Sequence, residues 1–171
     1  DRPATRALVE RLHPAARLAE LPDASLEFTN PADGEVYAGV FPGLTILCSG
    51  EVALDRPSEL DRRFLDEAGE RTVYLHAMHS VVDWFALGIW ELGVLRRSLS
   101  LAPDHGIIEN VGEPLAFEAP YWAGERPVEP DPDWEDEEPY KLPFHPLELA
   151  EDALQEAYAA YDDGKVSWEQ L

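Results

Sequence analysis

A chain of 171 residues, 45% of them hydrophobic, can bury a real core and is most simply one domain spanning residues 1–171. Its 13 basic and 35 acidic residues leave a net charge of −22, which disfavours direct contact with nucleic-acid phosphates or with an acidic membrane surface. No apolar run approaches the roughly 20 residues that span a bilayer, residues 1–20 lack a signal-peptide core, and a lone cysteine, Cys48, fits a reducing, cytoplasmic setting.

PATRALVERL, residues 3–12, predicts a helix: Pro3 suits its first turn, Leu8 and Leu12 stand at i, i+4, and His13-Pro14 ends it. PDASLEFTNPADGE is a loop with a turn at Asp33-Gly34. Two strands follow, residues 35–40 and 44–49, joined at Phe41-Pro42-Gly43, where proline presets φ and glycine accepts the positive φ. RPSELDRRFLDEAG predicts a second helix, opened by Pro57, carrying Leu60 and Phe64 on one face and a Glu59–Arg63 pair, and closed by Gly69.

RTVYLHAM, residues 71–78, alternates as a strand, with Val73, Leu75 and Ala77 on one face and Tyr74, His76 and Met78 on the other. DWFALGIW, residues 83–90, is apolar on both faces and predicts a central strand. After a short turn at Glu91-Leu92-Gly93, VLRRSLSL returns with Leu95, Leu99 and Leu101 inward and Arg96, Ser98 and Ser100 outward. From 102 to 145 prolines exclude a long helix, yet Phe117, Tyr121, Trp122, Trp134, Tyr140 and Phe144 are too many rings for a linker. This segment predicts an extended arm with docked aromatics. The last helix covers 146–163, with Leu147, Ala150, Leu154, Ala157, Tyr158 and Tyr161 in a stripe and Gly164 closing it. The fold class is α+β: an antiparallel sheet of about five strands, two or three helices, and a long proline- and aromatic-rich arm packed on it.

HAMHSVVD concentrates the candidate chemistry. His76, His79 and Asp83 are the catalytic and metal-ligating candidates, because two imidazoles and a carboxylate can hold a zinc ion or move a proton. On a straight strand positions 76 and 79 face opposite sides, so a shared site requires the chain to turn at Ser80–Val82. Trp84, Glu118, Tyr121, Trp122 and His145 are candidates for binding contacts. Tyr121 and Trp122 would form a stacking platform if exposed and an anchor if buried; His145 could fold back toward His76 or His79. Cys48 sits in an apolar run and reads as a buried small hydrophobe. The acidic run at 129–138 lacks the mid-loop glycine of a calcium loop, and no Gly-x-Ser-x-Gly elbow or phosphate loop occurs. No cofactor is predicted.

The strings VYAGVFPGLTILC, RTVYLHAMHSVVDWFALGIWE, RSLSLAPDHGIIENVGEPLAFEAPYWAGERPVEP and PYKLPFHPLELAEDAL resemble a family of uncharacterised actinobacterial proteins known only as a domain of unknown function. The resemblance runs from about residue 34 to about residue 160. It implies a short strand ahead of residue 1 and a hairpin at Leu92-Gly93, and brings no activity. Three functions stand open: a non-enzymatic soluble binding or accessory protein, with a protein partner that its charge would make basic; a hydrolase-type enzyme around His76, His79 and Asp83; and an acidic inhibitor or nucleic-acid mimic of a basic partner.

Overall fold

The computed structural model describes residues 1–21, 29–128 and 141–161. Helix α1 (Arg2–Leu12) stops where His13-Pro14 requires, and it buries Leu8, Val9 and Leu12. Strands β1 (Val36–Phe41) and β2 (Leu44–Ser49) form a two-stranded antiparallel sheet, with Gly43 at φ +78° in the Pro-Gly turn. Thr5 in α1 accepts a hydrogen bond from the Val40 amide of β1 at 3.1 Å, so the helix covers part of that hairpin's edge.

The helix expected over 56–69 is broken in two. Pro57–Glu59 forms a 3-10 turn, Leu60 is extended, and α2 (Arg62–Ala68) restarts where the Asp61 carboxylate accepts from the Arg63 amide at 3.0 Å. The break separates Glu59 from Arg63, which pairs with Glu51 and Asp61 instead.

Strands β3 (Val73–His79), β4 (Trp84–Glu91), β5 (Val94–Ala102) and β6 (Gly106–Val111) form a four-stranded antiparallel meander in that order. Trp84 through Trp90 are all buried, which fits a strand covered on both faces. On one face Phe85, Leu87, Ile89, Leu99 and Leu101 pack against Leu149, Ala150 and Ala153 of helix α4 (Pro146–Tyr161) and against Tyr121, Leu142 and Phe144 of the arm. On the other, Trp84, Ala86 and Trp90 pack with Leu75, Leu60 and Ala102, backed by Phe64 and Leu65 of α2. Each leucine, isoleucine or phenylalanine among them contributes about 1.5–3 kcal/mol when fully buried. Gly88 lets the second layer approach: a Cβ there would stand 2.5 Å from the Trp90 ring and 3.2 Å from Pro57.

Two departures from the sequence pattern have local causes. A register shift between Ile89 and Trp90 sets Arg97 opposite Ile89 and Leu95 opposite Trp90. Leu95 therefore joins the second face, away from Leu99, and Arg97 turns into the core. Ser98 and Ser100, expected to face solvent, are fully buried under the second layer. The second departure is β6, which occupies the first part of the expected arm. Gly106, at φ +75°, turns the chain after Pro103, and GIIENV then pairs along β5. The fold is α+β, and among the described residues six strands form two antiparallel sheets where the sequence pattern suggested about five in one. The remaining arm contains the turn Ala116–Glu118 and the short helix α3 (Ala119–Trp122). The acidic run at 129–138, the rings of Trp134 and Tyr140, and the end of the last helix with Gly164 lie outside the described residues.

Candidate functional site

Arg97 anchors the arm from inside the sheet. Its Nε and Nη2 donate to the two carboxylate oxygens of Glu118 at 2.8 and 2.7 Å, with both side chains fully buried. Nη1 donates to Asn110 Oδ1 at 2.6 Å and to the carbonyls of Val111 and Gly112 at 3.0 and 3.3 Å. Glu118 also accepts from the Leu115 amide at 2.9 Å and from the Trp122 indole at 3.0 Å. A buried ion pair tolerates loss of water when its remaining polar groups find partners; here each carboxylate oxygen of Glu118 accepts two bonds and every guanidinium nitrogen of Arg97 has an acceptor.

Tyr121 is buried and Trp122 half-buried, and both are tied into the fold. The Tyr121 hydroxyl donates to Asp152 of α4 at 2.7 Å, and burial with that carboxylate pushes the hydroxyl far above its ordinary range. Both rings meet Phe144 edge-on, at centroid distances of 5.3 and 4.9 Å.

The β3–β4 end distributes the histidines. β3 stays in unbroken register with β4 through His79, opposite Trp84, so His76 and His79 project to opposite faces. His76 points toward α4, donates from Nε2 to the Ala150 carbonyl at 2.9 Å, and lies 5.5 Å from the Phe85 ring. Burial holds its pKa below the ordinary histidine value, partly offset by that hydrogen bond. His79 is exposed. The chain reverses over residues 80–83, where Asp83 takes φ +48°. The structure brings Asp83 to His145: their Oδ2 and Nε2 atoms are 3.5 Å apart, and His145 Nδ1 accepts from the Leu147 amide at 3.2 Å at the start of α4. That acceptor role assigns the proton of a neutral ring to Nε2, the nitrogen on the Asp83 side. Trp84 is buried in the second face, with its indole Nε1 making no hydrogen bond among the described residues. Among the described residues no three His, Cys, Asp or Glu side chains are grouped to hold a metal ion.

Sequence reasoning missed Arg97 and a second buried acid. Glu109 of β6 accepts from the Ser58 hydroxyl at 2.7 Å, the Ser58 amide at 3.0 Å and the Ser98 hydroxyl. Burial pushes its pKa up, but these bonds and the charge of Arg56 outweigh that and hold it below the ordinary carboxylate range. The signal for Arg97 was present in Arg96-Arg97: two consecutive arginines on one strand must face opposite sides unless a bulge intervenes. Nothing in the local sequence ties Ser58 to a residue as distant as Glu109.

A family of unknown function, DUF6928, matches residues 1–166. The chain belongs to that family. No curated protein and no solved structure matches it. Among the described residues, no helix of this DUF6928 member is long and apolar enough to cross a membrane.

Proposed function

We propose that this chain is a non-enzymatic binding or accessory protein acting on a basic protein partner in the cytoplasm. The observation that carries the reading is how the polar candidates are used. Glu118, Tyr121 and His76 each direct their polar atoms to another part of the fold, and the Trp122 indole donates to Glu118 one turn before it. Meanwhile Met78, Val81 and Val82 are exposed together around the β3–β4 turn, with Val81 84% exposed. An apolar tip on a strongly acidic body suits contact with a protein of opposite charge. The test uses the full chain as bait. Partners retained at low ionic strength should be basic and should elute as salt rises. Retention of nothing, together with turnover of small ester or amide substrates, would sink the reading.

A second reading, a hydrolase-type enzyme, draws on the contact between Asp83 and His145. It requires that Asp83→Asn and His145→Gln each abolish a measurable turnover while leaving the fold intact.

A further inference from the structure

No further inference is drawn: the strongest candidate, the outer edge of β3 with Tyr74 and Met78 exposed along it, pairs with no strand among the described residues, and nothing in the structure shows what covers it.

Discussion

Arg97 grips Glu118 through two parallel hydrogen bonds at 2.8 and 2.7 Å, and neither side chain reaches solvent. The pair joins the centre of the sheet to the arm, so its integrity governs whether the arm stays docked. Glu118→Gln leaves the guanidinium buried against a neutral amide and is expected to cost about 3–5 kcal/mol. Replacing both, Arg97→Met with Glu118→Leu, removes the uncompensated charge and should cost less than the sum of the single changes. Urea unfolding of Glu118→Gln, of Arg97→Met and Glu118→Leu singly, and of the latter two together measures both statements; additive losses would mean the two residues act independently.

Glu109 should make the protein acid-sensitive. Its carboxyl titrates below the ordinary value in the folded state. The stabilisation is therefore complete above the unfolded carboxylate range, near pH ~4.3, and is lost as pH falls through the lower folded value. Glu109→Gln should flatten that part of the stability–pH curve. An unchanged acid limb would assign the sensitivity to other carboxylates.

His76 adds a separate, higher window. Its folded pKa is lowered, so the folded state prefers the neutral ring. Its contribution is full above the unfolded histidine value, about 6.5, and declines as pH drops from there to the folded value, where the loss is complete. His76→Gln should remove this slope, and NMR titration of the imidazole should place its midpoint below the ordinary histidine value of about 6.5. A midpoint at or above that value would contradict the argument.

Leu92 holds φ +51° beside Gly93 at φ +74°, in a two-residue hairpin that joins Glu91 to Val94. Asparagine tolerates that backbone far better than leucine. Because Leu92 is exposed, Leu92→Asn sacrifices little packing and is expected to raise stability by about 1 kcal/mol, read as a higher thermal midpoint.

The architecture was legible where the local pattern is strong. Both hairpins, the central strand over 83–90, the first helix and the last helix appear where periodicity and turn chemistry place them. The buried stripe of α4 lies one step off the periodic pattern: Leu149 and Ala153 join Ala150 in the core, while Leu147 and Leu154 are only half-buried. Helix periodicity cannot decide among adjacent apolar residues when apolar side chains surround more than one face. β6 was hidden because prolines on both sides suggested irregular chain, although they bound a short strand rather than interrupt it. At the candidate site, the separation of His76 from His79 followed from strand parity alone. The meeting of Asp83 with His145 depends on where α4 lands, which only the tertiary packing fixes.

The bond from His76 to Ala150 spans 74 residues, whereas the meander it closes over is built from neighbours. Chain entropy opposes the distant contact far more than the adjacent pairings. The four strands are therefore positioned to assemble before α4 arrives, and the last helix to be the first piece to lift away. Its release would bare Phe85, Leu87 and Leu99 together. The amides of α4 should accordingly exchange with solvent through a partial opening of lower free energy than those of β4, so that one molecule carries two distinct thresholds of unfolding.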